Sequence, residues 1–217
     1  MKKGLLIVYS GLSGVGKGTI LDKLMPMKDL NLAYSVSMTT RSPRDGEIDG
    51  VNYFFVSKER FKKAILDGEL LEHARFVEND YGTPKDYVEK MRNEGKNVIL
   101  EIEIRGAKQV LEKCPDALSI YIVPPSMEEL ERRIRERKTE DEDTIMKRMA
   151  KAKRELEDID LYEHVVCNDD LQKATQEIRE IILNEMAKWA ISFFIIDIKK
   201  ETLSSFFLIF IICYNIR

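Results

Sequence analysis

The 217-residue chain reads as an α/β fold: a parallel sheet core flanked by helices, a small inserted α+β lobe, and a pair of charged helices forming a lid. Three observations predict this. Apolar runs of strand length alternate with helical periods, which argues for parallel strands joined by right-handed crossovers. A glycine-rich stretch, Gly11-Leu12-Ser13-Gly14-Val15-Gly16-Lys17-Gly18-Thr19, joins the first apolar run to the first helical one. Between about 35 and 88, short strands follow one another directly, as in a lobe set between core elements.

Leu5-Leu6-Ile7-Val8-Tyr9 reads as a buried strand, and Ile20-Leu21-Asp22-Lys23-Leu24 begins a helix. Strand, glycine-rich loop and helix are the context of a phosphate-binding loop, which makes the core of the P-loop NTPase type. The glycines let backbone N–H groups turn inward, Lys17 adds a mobile charge, and the helix presents its positive end. In the common pattern the residue after the lysine is Ser or Thr, whose hydroxyl reaches a metal ion. Here it is Gly18, with the hydroxyl one place later at Thr19. A metal there is expected to be held mostly by phosphate oxygens and water, with Thr19 and Glu101 the candidate protein contributors.

Next, Tyr34 to Met38 alternates like a strand, and 39–47 is a polar loop with two arginines. Val51 to Val56 reads as a short strand, and Ser57 can cap a helix through about Leu66. Leu70 to Phe76 is a strand, Tyr81-Gly82-Thr83 a turn, and Pro84 a first helical position. The core resumes with the strand Asn97-Val98-Ile99-Leu100, a helix over 104–113 and the strand Leu118–Val123. Ser126 and Glu129 form a capping box ahead of an arginine-rich helix. After an acidic turn, a second charged helix runs from about Thr144 to Asp158. The pair reads equally as a lid or as a solvated hairpin with i,i+4 ion pairs. A short strand over 164–167 and a helix from Leu171 to about Lys188 follow.

Bulk composition narrows the function. Charged residues make up 34% and the net charge is −3, unlike the basic balance of a general nucleic-acid binder. Cys114, Cys167 and Cys213 are scattered and odd in number, which suggests neither a disulfide framework nor a zinc site. The N-terminal apolar stretch is too short for a signal peptide, so a reducing cytoplasm is the expected compartment. The association state is left open between monomer and homodimer.

The segment Ser37-x-Thr39-Thr40-Arg41-x-Pro43-Arg44-x-Gly46-Glu47-x-x-Gly50-x-x-Tyr53, a fixed distance after the glycine-rich loop, closely resembles guanylate kinases. Glu72, Tyr81-Gly82-Thr83, Leu100-Glu101-Ile102-Glu103 with Gly106-Ala107, and Val166-Cys167-Asn168-Asp169 extend the resemblance over about 3–187. It implies a kinase domain over 1–188: a core of 1–34, 97–126 and 159–188, a GMP-binding lobe over 35–96 and a lid over 127–158. The implied reaction is reversible, Mg²⁺-dependent transfer of the γ-phosphoryl of ATP to GMP or dGMP, in purine nucleotide metabolism.

The resemblance also implies residue roles. Gly11, Ser13, Gly14, Val15, Gly16, Lys17, Gly18 and Thr19 would hold ATP, with Arg133, Arg137 and Asn168. Ser37, Arg41, Arg44, Tyr53, Glu72, Tyr81, Thr83, Glu101 and Glu103 would hold GMP. Lys17, Arg41, Arg44, Arg137 and Arg148 would act in catalysis. The chemistry agrees: a phosphate dianion suits arginine forks and phenolic hydroxyls. Guanine offers N1–H and a 2-amino group side by side, which one carboxylate can accept and adenine cannot match. Glu101 and Glu103 end a core strand where ligands bind in open α/β sheets. They are expected to point to opposite faces and to do different jobs, one toward magnesium-bound water and one toward the acceptor. Two departures stand out: Lys138 follows Arg137 where the family has glycine, and Leu12 replaces a proline.

A rival reading is an inert scaffold that binds phosphopeptides on the same fold. Such versions lack the loop lysine and lid arginines, and this chain has both. Residues 189–217 differ in kind, with two apolar runs around Lys199-Lys200-Glu201, each too short to span a bilayer. An interfacial tail and a partner-packing segment are both open. The reading preferred is a frameshifted or read-through extension, since the kinase-like part is complete by about Lys188.

Overall fold

The structure is a computed structural model that describes residues 3–76, 78–136 and 141–189. Its core is a five-stranded sheet built from β1 (Leu6–Gly11), β2 (Leu32–Tyr34), β7 (Asn97–Glu101), β8 (Leu118–Val123) and β9 (His164–Cys167). The order is β2-β7-β1-β8-β9, and every pairing is parallel. A parallel sheet is covered on both faces, so its strands are continuously apolar. Ile7, Val8, Val98, Ile99, Ile120 and Ile122 are all fully buried. Each such side chain contributes about 1.5–3 kcal/mol relative to exposure.

α1 (Lys17–Leu24) follows β1, α4 (Ile104–Lys113) follows β7, and α5 (Met127–Glu136) follows β8. From β1 the chain moves out to β2, and from β7 it crosses over β1 to β8. That reversal makes the carboxyl end of β1 the switch point of the sheet, where open α/β folds place their ligands. Two buried polar side chains close the opposite end. Asn97 accepts from Leu5 N–H at 2.8 Å and donates to the Leu30 carbonyl at 2.7 Å. Arg92 donates to the Gly4 carbonyl at 2.9 Å and pairs with Glu89 and Asp116.

A second sheet orders β4 (Phe54–Phe55), β3 (Met38–Thr39), β6 (Asn79–Pro84) and β5 (Leu70–Phe76). β3 runs parallel to β4 and antiparallel to β6, and β5 and β6 are antiparallel. α2 (Lys58–Leu66) packs on it through Phe61 and Ala64, against Met38 and Leu70. α3 (Lys85–Asn93) leads back to β7. The Ser57 hydroxyl accepts from Arg60 N–H at 3.1 Å, which is the expected cap of α2. α5 is joined to α6 (Glu142–Glu155) through Arg135, which donates to Glu142 at 2.6 Å. Asp141 caps α6 through Thr144 N–H at 2.8 Å, and a 3-10 turn over Leu156–Leu161 leads to β9. A last helix, α7, occupies 171–189. The chain divides between residues 179 and 180, and the second unit is described only over its helical residues 180–189.

Several local expectations are corrected. Tyr34 to Met38 is not one strand, because Tyr34 ends β2 in the core sheet and Met38 opens β3 in the other. The alternating pattern spans the passage from one sheet to the next. Tyr81-Gly82-Thr83 is no turn but the middle of β6, where Gly82 and Tyr81 pair with Met38 and Thr39. The strand expected over Val51 to Val56 shrinks to Phe54–Phe55, and Pro84 caps α3 from one place outside it. Of the capping box at Ser126, the half from the Ser126 hydroxyl to Glu129 N–H forms at 3.1 Å. The Glu129 carboxylate turns to Arg132 and Arg133. Arg137 and, apart from Trp189, the apolar tail lie outside the described residues.

Candidate active site

The glycine-rich loop wraps the end of β1 at the switch point. Gly16 sits at φ +97°, and a Cβ there would meet Asn168 Nδ2 at 2.7 Å. Only glycine combines that backbone with so close an approach. Asn168, buried at the end of β9, donates through Nδ2 to the Val15 carbonyl at 2.8 Å. Its own carbonyl accepts from Arg133 of α5 at 2.9 Å. Gly14, Val15, Gly16, Thr19, Arg133 and Asn168 thus line one recess of about 390 Å³.

On the other side of the loop, Lys17 Nζ donates to the Gly11 and Leu12 carbonyls at 2.8 and 3.2 Å. Burial pulls its pKa below the ordinary lysine value, and the charges of Glu101, Glu155 and Glu103 oppose that pull. The Lys17 amine is therefore held by loop carbonyls, in the field of nearby carboxylates. From α6, Arg148 Nη2 donates to the Ser13 hydroxyl at 2.7 Å, so the second charged helix reaches the loop directly. Gly18 faces open space, with nothing within 4 Å of a Cβ placed on it.

The second recess, about 930 Å³, lies between the two sheets. Ser37, Tyr53, Glu72, Tyr81, Glu101 and Glu103 line it together. Glu72 is 5% exposed and Thr83 1%, and Thr83 donates to Glu72 at 2.7 Å. Burial pushes the Glu72 carboxyl up, while the Thr83 bond and the Lys113 charge pull it back. Arg41 stands over the Tyr53 and Phe55 rings, 5.3 and 5.7 Å from their centroids. Its guanidinium donates to both Glu47 oxygens, at 2.9 and 2.8 Å, and Glu47 also accepts from Arg44 N–H at 2.7 Å. Those bonds hold the Glu47 carboxyl down at about 2. The Arg44 side chain is exposed, and neither Arg41 nor Arg44 is part of the recess wall.

Glu101 and Glu103 do not face apart. Residues two apart on a strand share a face, and β7 ends at Glu101, with Glu103 at the cap of α4. Both line the same recess, where Glu101 accepts from Tyr34 at 3.0 Å and Glu103 from Lys151 at 2.9 Å. The strand end is tied to the loop strand by Ser10, whose hydroxyl donates to the Ile102 carbonyl at 2.7 Å. Thr19 opens instead into the recess of Arg133 and Asn168.

Among the described residues no three His, Cys, Asp or Glu side chains converge as a metal cage. One or two carboxylates beside a phosphate loop suit Mg²⁺, which keeps its waters and takes substrate oxygens as ligands. Sequence reasoning gave no role to Glu47, though it lies inside the quoted motif, and none to Lys151 and Glu155. Those two stand on α6 facing the carboxylates of a distant strand, a proximity with no local signal.

The guanylate kinase family profile matches residues 3–185. A guanylate kinase of Mesoplasma florum is 54% identical over 84% of this chain and 62% of its own length. One of Bacillus subtilis is 49% identical over 86% of this chain and 92% of its own. This chain thus spans only about six-tenths of the length of several curated relatives it matches. The crystal structure of guanylate kinase from Anaplasma phagocytophilum superposes with a TM-score of 0.66 at 33% identity, over 85% of this chain and 87% of that one. No helix of the described residues is long and apolar enough to cross a membrane. With the family profile matched over residues 3–185 and relatives about half identical along most of its length, the chain belongs to the guanylate kinase family.

Proposed function

We propose that this chain transfers the γ-phosphoryl group of ATP to GMP or dGMP, giving ADP and GDP or dGDP, as a cytoplasmic enzyme of purine nucleotide metabolism. The observation that carries the reading is the buried Glu72, bonded by Thr83 and sharing one recess with Glu101 and Glu103, whose charges act on the loop lysine. The buried Glu72 carboxylate accepts from Thr83, and a carboxylate with about four lone-pair sites has some left for the two adjacent donors of guanine. An acceptor lacking them would leave that carboxylate unpaired, a penalty of order 10⁴ in discrimination.

The donor nucleotide would lie along the loop, its phosphates on the backbone N–H groups and Lys17, with Arg133 and Asn168 walling the outer recess. Arg41, stacked on Tyr53, and Arg44 would take the acceptor phosphate. Phosphoryl transfer spreads negative charge over the moving group, so catalysis is mainly positioning and charge stabilisation. Lys17 and Arg148, which bond different residues of the loop, would serve that purpose, and Arg137 is proposed to act with them. The acceptor is already an ionised phosphate, so no side chain has to act as a strong base. Mg²⁺, when bound with ATP, would neutralise phosphate charge, and Glu101 would hold its waters. α5 and α6 are proposed as the lid that keeps water from competing for the phosphoryl group.

A coupled ADP-release assay across GMP, AMP, UMP and CMP tests the reading. GMP is expected to be preferred by orders of magnitude. Equal turnover of the four would overturn it.

A further inference from the structure

Glu72 sits in an irregular piece of strand. Leu70 pairs with Pro84, but the next pair is His73 with Gly82, so β5 carries one residue more than β6 at Leu71–Glu72. Leu70, Leu71 and Glu72 are accordingly all buried, where a regular strand would alternate. A bulge of this kind re-aims a side chain and leaves backbone groups without ladder partners. β5 is also the edge of its sheet, so nothing from a neighbouring strand covers its outer side.

One face of α4 supplies what is missing. Lys113 Nζ donates to the Leu71 carbonyl at 2.6 Å and the Leu70 carbonyl at 3.3 Å. Gln109 closes a two-way amide clasp, accepting from His73 N–H at 3.1 Å and donating to the His73 carbonyl at 2.9 Å. Gly106, on the same helical face, lies under the carboxylate, and a Cβ there would meet Glu72 Oε2 at 2.6 Å. Residues 106, 109 and 113 follow the i, i+3, i+7 spacing of one helix face. The backbone on both sides of Glu72 is therefore bonded to α4, and the side chain is pressed against it.

We propose that Gln109 and Lys113 are positioning residues for acceptor recognition: their side chains bond the backbone on both sides of the bulged Glu72 along the open edge of β5, and so fix where the Glu72 carboxylate points. The inference rests on the reading that Glu72 receives guanine. α4 starts directly after Glu103, so the same rigid helix sets the distance from the base-reading carboxylate to the Glu101–Glu103 strand end.

The test uses the full chain and the variants Gln109→Leu, Lys113→Met, Gln109→Glu and Lys113→Arg. KM for GMP and for ATP, the kcat/KM ratio of GMP over IMP, and thermal unfolding are measured. IMP lacks the 2-amino group and so reports the aim of Glu72. Misplacing a recognition group by a fraction of an ångström should raise KM for GMP about tenfold and narrow the GMP-over-IMP ratio similarly, with KM for ATP moved less than about twofold. Lys113→Arg keeps a donor in reach and should stay near wild type. Gln109→Glu loses the donor half of the clasp and should fall between, and it carries the test if Lys113→Met does not fold. An unchanged GMP-over-IMP ratio, or equal rises in both KM values, would reduce the clasp to a structural strap and overturn the inference alone. A wild-type chain with no GMP-dependent ADP release would overturn the functional reading and this inference with it.

Discussion

The Arg148 guanidinium donates to the hydroxyl of Ser13 at 2.7 Å, joining α6 to the phosphate loop across 135 residues of sequence. Ser13 lies in the loop itself, so Arg148 is already placed where donor phosphates would enter. Arg148→Ala should lower kcat by about 10²–10³, the usual loss for one charge-stabilising donor. KM for GMP should hardly move, because Arg148 is not on the wall of the acceptor recess. Steady-state kinetics with each nucleotide varied in turn checks the split. A large rise in KM for GMP with kcat intact would place Arg148 in the wrong half of the site.

Lys17 carries a charge that burial disfavours and Glu101, Glu155 and Glu103 restore. Lys17→Ala should abolish turnover while leaving GMP binding, measured by calorimetry, largely intact. Its effect on stability has a definite sign. A lysine whose folded pKa is lowered binds its proton less well than in the unfolded chain, so it costs stability below its folded pKa and less as pH rises toward 10.5. Lys17→Met should therefore unfold at an equal or higher temperature than wild type at pH 7. A clear loss would show that its bonds to Gly11 and Leu12 outweigh the desolvation.

Glu72 gives the complementary test. Its carboxyl is raised by burial, so the folded state holds the proton more tightly than the unfolded chain. Wild-type stability should fall as pH rises from the ordinary glutamate value of 4.5 through the raised one. Glu72→Gln removes that fall, so the variant should gain in unfolding temperature relative to wild type between pH 4.5 and pH 7. GMP turnover should be lost at the same time, since an amide presents donors where guanine also donates. Thermal unfolding of both proteins across that range checks the sign, and parallel curves would show Glu72 to be ionised without cost.

The phosphate loop separates two glycines. Gly16 combines φ +97° with a 2.7 Å approach to Asn168 Nδ2, and Asn168 is pinned by its bond to Val15. Gly16→Ala should cost about 1–3 kcal/mol, the range for a residue forced into such backbone. Gly18 is the second residue of α1, with nothing within 4 Å of a Cβ placed on it, so Gly18→Ala should be neutral or gain about 0.4–1 kcal/mol. Urea midpoints at constant m would resolve the pair.

What the sequence could and could not carry follows from range. The loop, the buried strands and the cap at Ser57 were legible because each rests on contacts within a few residues. The Tyr34–Met38 reading failed because alternation reports a half-buried strand and not which sheet it joins. Tyr81-Gly82-Thr83 resembled a turn because glycine is a turn residue. In the structure Gly82 is there because a Cβ would meet the Glu72 carbonyl at 2.9 Å and Leu70 Cδ1 at 2.9 Å. The residues of the acceptor recess were named through the family motif, whereas the clasp from Gln109 and Lys113 joins residues about forty apart and has no local signature.

Glu47 offers a choice between two roles with opposite outcomes. Its carboxylate takes two donors of Arg41 and the Arg44 N–H, so it either competes with an incoming phosphate or holds the loop ready for one. Guanidinium has five donors, of which Glu47 takes two and the Ser42 carbonyl accepts one at 2.8 Å. The Arg41 plane is also fixed over Tyr53, so the remaining donors keep a set direction. Holding is therefore the better account. Glu47→Gln, which retains one acceptor oxygen and loses the charge, should raise KM for GMP about tenfold, as expected when a phosphate clamp loses its orientation. A lower KM would mark Glu47 as a competitor. The pH dependence is an independent check. A carboxyl held down at about 2 stabilises the folded state above its ordinary 4.5, and that support is lost as pH falls toward 2. The gap in unfolding temperature between wild type and Glu47→Gln should be full above pH 4.5 and close as pH falls below it. A gap independent of pH would mean that the Arg41–Glu47 charge pair contributes nothing to the acceptor loop.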